Sequence, residues 1–600
     1  MSPSALPPPE RARAPLWPPL QRLVAWSLQF PIRAGVLFAT LACAPALFSG
    51  WLLDDWIHRG AILHKLPLHD ADLLKLFTFA NGDRADAMLH TRFGYGWWTL
   101  PDLRLAFFRP LSALTHHFDE RVLGPHAFLH HAHSLLWQAL GIVAAGLVFR
   151  RLLAARTAMT ATLLYAIDEA HWAASNWLSN RNAWVSMVPA LFGFWLWLRA
   201  EDEAWTPGFL LAPLLFGVGL CGGETALGLS AVWLAVALLR RRAPLARTLG
   251  RLAPLIVVLA AWMAFYKMGH FGAAASGAYV DPATDPLRYL GLAAHRIPTL
   301  AGGLIASLPV ELGPLSEVGS WLLAAGGLAA VVLLGRGLRR AALPVEDRRS
   351  LVPLAVGGLL ALVPPAATWP SLRTLLAPSL VSAALVAMML MALGESLAAG
   401  PLAALRVRLA RRYLVLVHVI WPPLISLAVS CLLLLAGPQL TGLLQTPTLT
   451  GIRDKHVVVV AAPDPVIGFY LVAFLGSYDH EMPKQFNVLA MTYGDVTVER
   501  TGVNRLRVRT LGDPLLSTAP EQLIMDPRRM PKAGDTLEIP NMTVHVEAAS
   551  PAGVEVAEFV FAVPLEELAL LQWHEHDLQP LALTLGEVTT IRHERGVIGI

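Results

Sequence analysis

Two adjacent carboxylates follow the first long apolar run of this 600-residue chain, in Trp51-Leu52-Leu53-Asp54-Asp55-Trp56. Carboxylates side by side repel, so one is expected to hold its proton above the ordinary range, which suits a general base or a cation ligand. The same stretch also reads as an ordinary hydrated helix end. Further along come Phe108-Arg109-Pro110-Leu111, Asp119, Gly124-Pro125 and His130-His131-Ala132-His133. An arginine beside a membrane surface is a good phosphate partner, because its planar fork of donors matches the oxygens. His126, His130 and His133 share a helical face, but the further fixed ligands that a zinc site needs are not identifiable. They read instead as interfacial packing or headgroup hydrogen-bonding groups. A third cluster, Asp168-Glu169-Ala170-His171-Trp172 continuing through Trp177-Leu178-Ser179-Asn180-Arg181-Asn182, crowds charge and aromatic rings between two apolar runs. Trp172 and Trp177 also fit plain interfacial anchors. Glu224 sits in the tight Gly222-Gly223-Glu224-Thr225 hairpin. Arg373, in Trp369-Pro370-Ser371-Leu372-Arg373, opens a long apolar run, where a snorkelling arginine is the plain alternative. Ionisable groups at membrane depth are costly to keep, so each of these raises a functional hypothesis.

The elements that must hold them are membrane helices. Apolar residues make up 55% of the chain and charged residues 15%, against about 25% charged in a soluble domain. Mean hydropathy is +0.52. The formal charge of +4 is small and comes from arginine clusters between apolar runs, which leaves no nucleic-acid footprint. Cys43, Cys221 and Cys431 each lie within an apolar run, which argues against a disulfide framework or a thiolate metal site. A spanning helix needs about 20 apolar residues. Eleven such runs occur near 34–53, 133–149, 152–167, 183–199, 207–222, 225–239, 252–268, 318–335, 351–367, 375–395 and 413–437. The stretch 287–311 is ambiguous, since it carries Arg288, His295, Arg296 and two prolines.

The positive-inside rule decides its status. Basic clusters occur in the N-terminal tail (Arg11, Arg13, Arg22, Arg33), at Arg150/Arg151/Arg156, at Arg240/Arg241/Arg242/Arg247/Arg251, at Arg336/Arg339/Arg340/Arg348/Arg349 and at Arg406/Arg408/Arg411/Arg412. All five face the cytoplasm only if 287–311 is re-entrant or interfacial. The expected organisation is therefore a cytoplasmic tail, 1–33, and an all-α polytopic membrane domain, 34–437, with a long first outer loop, 54–132. A linker, 438–454, leads to a small β-rich (α+β) extracytoplasmic domain, 455–600. Strand-like alternation there covers Lys455–Ala461, Asn504–Thr510, Thr536–Glu547 and Val554–Val563, with a turn at Ala533-Gly534-Asp535.

In order and placement, these motifs resemble the GT-C superfamily of polyprenyl-phosphate-sugar-dependent glycosyltransferases, and most closely its members related to protein O-mannosyltransferases. The family's acidic pair after the first span is matched by Asp54 and Asp55. Its aromatic-Arg-Pro-Leu element is matched by Phe108-Arg109-Pro110-Leu111, and the Asp that follows by Asp119. Gly124, Pro125, His131 and Leu135-Leu136 fit the next element, with Ser134 and Gln138 in place of its Asn and second His. His171, Trp177-Leu178-Ser179 and Arg181 fit the His-Pro-x-His loop, with Asp168-Glu169 in place of His-Pro and Ala173 in place of its Glu. The Ser-Lys-Glu-Thr hairpin appears as Gly222-Gly223-Glu224-Thr225, without the Lys, and Arg373 precedes Pro378-Ser379. The likeness covers roughly residues 34–400.

The resemblance implies a bacterial inner-membrane enzyme that moves a sugar, with inversion, from a lipid-linked donor to a protein or glycan acceptor at the outer face. Asp54 or Asp55 would be the base. Arg109, Arg181 and Arg373 would face the leaving phosphate, with Asp119, His131, His171 and Glu224 as substrate-binding or positioning groups. A divalent cation, Mg or Mn, would be held by Asp54 and Asp55. The alternative is a catalytically silent scaffold whose outer domain binds a cell-envelope partner. A transporter is a third reading, although no paired halves with broken helices are visible. Convergence of the acidic pair, Arg109, His171 and Glu224 on one outer cavity would favour the enzyme.

Overall fold

The computed structural model describes residues 18–66, 72–240, 243–395, 400–443, 451–477, 482–575 and 577–594. Arg11, Arg13, Arg241, Arg242 and residues 444–450 of the predicted linker lie outside the described residues. Among those described, eight helices are long and apolar enough to cross a membrane. They are Pro31–Phe48, Ala127–Leu152, Leu178–Asp202, Leu245–Met268, Glu317–Arg340, Val345–Ala367, Leu376–Glu395 and Pro401–Leu440. The predicted runs at 207–222 and 225–239 are the shorter apolar helices Gly208–Leu220 and Thr225–Leu239, and 152–167 is the 12-residue helix Ala155–Ala166. The 287–311 stretch is a single 21-residue helix, Pro286–Ala306, which is not among the eight. Its Arg296 is buried and donates to the Ala366 carbonyl at 3.1 Å.

The first span ends through local chemistry. Pro45 converts the helix into a 3₁₀ turn, Ala44–Phe48, and Gly50 takes φ +74°, which costs a residue without Cβ little. A new helix, Asp54–Ile62, starts with both carboxylates in its first turn, where the helix dipole favours negative charge. The Leu52 amide donates to Asp55 Oδ2 at 2.9 Å and closes that end.

The C-terminal region is α+β. His456–Ala462 and Gln485–Met491 are parallel neighbours joined by the helix Pro465–Ser477, and Leu568–His574 adds a third parallel strand. His456–Ala462 is apolar and buried on both faces, as parallel strands under a crossover require. A second, antiparallel sheet has the order Val588–Ile591, Val496–Gly502, Arg505–Thr510, Gly553–Phe561, Met542–Ser550, Thr536–Ile539. The strand predicted over Thr536–Glu547 is thus two strands. Pro540 has no amide to donate and Asn541 adopts φ +59°, so the chain turns there.

This region shares one apolar core with the loop that follows the first apolar helix. Trp56, Phe93, Trp97 and Trp98 pack with Val457–Val460, Phe474 and Phe559. The indole of Trp97 donates to the Leu489 carbonyl at 2.9 Å, and that of Trp98 to the Glu521 carbonyl at 3.0 Å. Asn487 Nδ2 donates to the Thr91 carbonyl at 2.8 Å. A small antiparallel sheet, not expected from the sequence, joins Thr78–Asn81, Arg104–Ala106 and Gly272–Ala274 from two separate loops.

Candidate functional site

A cavity of about 290 Å³ lies between the loop that follows the first apolar helix and the ends of the later helices. Asp54, Arg109, Glu224 and Arg373 line it together with His58. Phe77, Phe79, Phe107, Trp177 and Tyr279 form its aromatic wall.

Each charged group is positioned locally. Arg109 precedes Pro110, the first residue of the helix Pro110–Phe118, and the proline keeps Arg109 out of the helix. Gly222 is pressed against Ser186, so closely that a Cβ would come within 2.7 Å of the Ser186 backbone. The hairpin carrying Glu224 is therefore held flat on the helix Asn182–Asp202. Leu111 N donates to the Cys221 carbonyl at 2.9 Å and Ser112 Oγ to the Gly222 carbonyl at 2.6 Å, which locks the two elements together. Arg109 Nε then meets Glu224 Oε2 at 2.8 Å, and Tyr266 donates to Glu224 Oε1 at 3.1 Å. The Arg109 guanidinium also lies over Phe107, 4.5 Å from the ring centre. Arg373 sits in the turn Leu372–Thr374, its guanidinium 6.0 Å from the centre of the Trp177 ring. No carboxylate among the described residues pairs with it.

The acidic pair is divided. Asp54 lines the cavity, and its Oδ1 accepts a hydrogen bond from the Tyr470 hydroxyl. Burial pushes its carboxyl above the ordinary range, against the opposing influence of the Tyr470 hydrogen bond, Arg373 and Arg109. Asp55, 3% exposed, turns the other way. Its Oδ1 accepts from Ser179 N at 2.7 Å and Ser179 Oγ at 2.5 Å, while Oδ2 holds Leu52 N. Burial pushes Asp55 up to about 7. Consecutive helical residues project about 100° apart, so one helix start cannot aim both carboxylates into one space.

Five other expected site residues do not line this cavity. Arg181 is fully buried and pairs with Asp119 Oδ2 at 2.6 Å, away from this cavity. Asp119 Oδ1 meets His133 Nδ1 at 2.6 Å. His131 Nε2 donates to the Gly50 carbonyl at 2.8 Å and thereby fixes the turn after the first span. His171 Nε2 lies 3.0 Å from Ser379 Oγ, packed edge-on against Tyr165 and Trp184. Asp55 completes this group. Of the four elements expected to converge, the acidic pair contributes Asp54 alone, Arg109 and Glu224 are present, and His171 is not.

The expected Mg or Mn site does not fit these donors. Asp54 and Asp55 face different partners, and among the described residues no three His, Cys, Asp or Glu side chains are grouped to hold a metal ion. Two site residues were missed. His58 stands one turn after Asp54, and that i, i+4 spacing was a usable signal. Its ring contacts Phe77 and Phe79, its Nε2 has no partner, and burial, with Arg109 and Arg181 nearby, pushes it down to about 3, so it is neutral. Tyr470 lies 416 residues from Asp54 and carried no local signal.

No family model matches the chain, and no curated protein matches it. Among solved structures, the chain is similar to the archaeal oligosaccharyltransferase AglB from Archaeoglobus fulgidus in complex with an inhibitory peptide and a dolichol-phosphate. The TM-score is 0.40 at 15% identity, over 77% of this chain and 65% of that one, so this chain spans under two thirds of the archaeal protein's length. It is also similar to ArnT from Cupriavidus metallidurans bound to undecaprenyl phosphate, with TM-score 0.38 and 15% identity over 76% of this chain and 85% of that one. Likenesses of this size do not say what the chain does.

Proposed function

We propose that the chain is a membrane glycosyltransferase that moves a sugar from a polyprenyl-phosphate-linked donor to an acceptor hydroxyl on a protein or glycan. The observation that carries this reading is the cavity itself, where one half-buried carboxylate, Asp54, and one arginine without a carboxylate partner among the described residues, Arg373, share a space walled by aromatic rings. Those two charges suit the two ends of a displacement at a sugar carbon. Asp54 takes the proton from the acceptor hydroxyl. The acceptor oxygen bonds to the anomeric carbon as the bond from that carbon to the phosphate oxygen breaks. The polyprenyl phosphate departs with the electron pair, and Arg373 meets the charge that develops on it. A single displacement of this kind inverts the anomeric centre. Arg109, paired with Glu224, lines the same wall.

In this reading the N-terminus is cytoplasmic, and the C-terminal α+β region lies on the outer face of a bacterial inner membrane. The arginine clusters support that orientation. The scaffold alternative has less support, because the C-terminal region is packed into the outer loop and reaches the cavity's carboxylate. The test is transfer from labelled polyprenyl-phosphate sugars in membranes, wild type beside Asp54→Asn. Transfer retained in full by Asp54→Asn would remove that residue from the chemistry.

A further inference from the structure

The helix Pro465–Ser477 belongs to the C-terminal α+β region, yet it packs on the helix Asp54–Ile62 at the cavity. Phe474 meets the buried Trp56 edge-on, ring centres 6.2 Å apart. One turn earlier on the same helix, Tyr470 donates its hydroxyl to Asp54 Oδ1. Asp54 Oδ2 accepts no hydrogen bond from the described residues, while the residue lines the cavity. A carboxylate held by one oxygen presents the other in a fixed orientation, which is what a base needs to meet a hydroxyl proton. The docking that delivers Tyr470 is extensive. Phe93 bridges to Phe486, and Gly94 approaches Val472 so closely that a Cβ there would lie 3.0 Å from its Cγ1.

We propose that the C-terminal region is a working part of the transfer site, with Tyr470 as a positioning residue that holds one oxygen of Asp54 so that the other receives the acceptor proton. This rests on the transferase reading above. It makes the outer domain part of the machinery, and it couples the competence of the base to the docking of a segment 416 residues away.

The test is Tyr470→Phe in the full chain, which removes the hydroxyl and keeps the ring against Phe474. Transfer is measured in membranes with a panel of tritium-labelled undecaprenyl-phosphate-linked sugars. A positioning role predicts that kcat falls about tenfold or more while the donor KM moves less than about twofold. A second arm, thermal melting of the detergent-purified protein, runs the cycle of Tyr470→Phe, Asp54→Ala and both together, since alanine removes the accepting oxygen. A direct contact makes the two substitutions non-additive. Unchanged kcat in an active preparation, a loss confined to KM, or additive melting shifts would each overturn the inference. Failure of the wild type to turn over any donor in the panel would instead overturn the transferase reading, and the base-positioning role with it.

Discussion

The loop that follows the first apolar helix and its neighbours hold two clusters built from the same residue types. In one, Asp119 receives Arg181 and His133 at 2.6 Å each, and Arg181 also donates to Thr115 Oγ1 and the His130 carbonyl. Asp119 and Arg181 are buried and His133 largely so, and this cluster does not line the cavity that holds Asp54. In the other, Asp54 has one hydrogen-bonded oxygen and Arg373 has no carboxylate partner among the described residues, and both face about 290 Å³ of space. The aspartates come from one loop, and arginine answers each. The difference lies in what the charges meet. A buried charge closed within its own network is spent on holding helices together, because breaking it leaves an unpaired ion in low dielectric. A charge left partly unsatisfied at a cavity keeps its interaction for a ligand. Motif order alone treats Arg181 and Arg373 as equivalent, and pairing separates them.

The contrast can be broken by substitution. The largest effect is expected from Asp54→Asn, which should lower transfer by about 10²–10⁴-fold, the usual contribution of a positioned acid or base, with little change in melting temperature. Equal losses in activity and folded yield would erase the distinction between the clusters. Asp119→Ala should do the reverse, costing about 3–5 kcal/mol of stability by stranding Arg181, read as a drop in melting temperature or in folded protein after detergent extraction. Arg373→Gln should reduce kcat by about 10²–10³-fold, as loss of one preorganised group facing developing charge does. Arg109→Gln should cost less than that, since Glu224 already compensates its charge. If Arg109 proved the more important in the same assay, the phosphate end of the cavity would have to be reassigned.

The pH dependence sharpens the comparison further. Burial holds the Asp54 carboxyl above its ordinary range, and the base works only when ionised. Transfer should therefore rise with pH through that elevated pKa and be lost below it. Donation from Tyr470 favours the ionised form, so Tyr470→Phe should move the acidic limb of the pH–rate profile upward. A limb that stays in place would mean that the hydroxyl does not act on Asp54. The smallest effect is expected from His131→Gln, which loses a single hydrogen bond to Gly50, about 0.5–1.5 kcal/mol, with activity retained.

Much of the architecture was legible before any coordinates. Eight of the eleven apolar runs form helices long enough to cross a membrane, and the strands at His456–Ala462, Arg505–Thr510 and Gly553–Phe561 fall where alternation placed them. These features are local, since a side chain's face repeats every 3.6 residues in a helix and every two in a strand. The turn at Pro540-Asn541 was missed, although proline followed by asparagine is itself a breaker signal. The small sheet joining Thr78–Asn81, Arg104–Ala106 and Gly272–Ala274 had no comparable signal, because its third strand comes from a distant loop.

Residue types and spacing by themselves determined that the chain is built of apolar helices with an α+β C-terminal region, and that acids, arginines and histidines gather at the helix ends. Only the tertiary structure decided which of them share a cavity. It turned Asp55 toward Ser179 and left Asp54 in the open space, closed Arg181 onto Asp119, and brought Tyr470 to the acidic pair. The physical reason is that a charge's role follows from its partners and its access to solvent or ligand. Those are set by packing between segments hundreds of residues apart, on which local periodicity is silent.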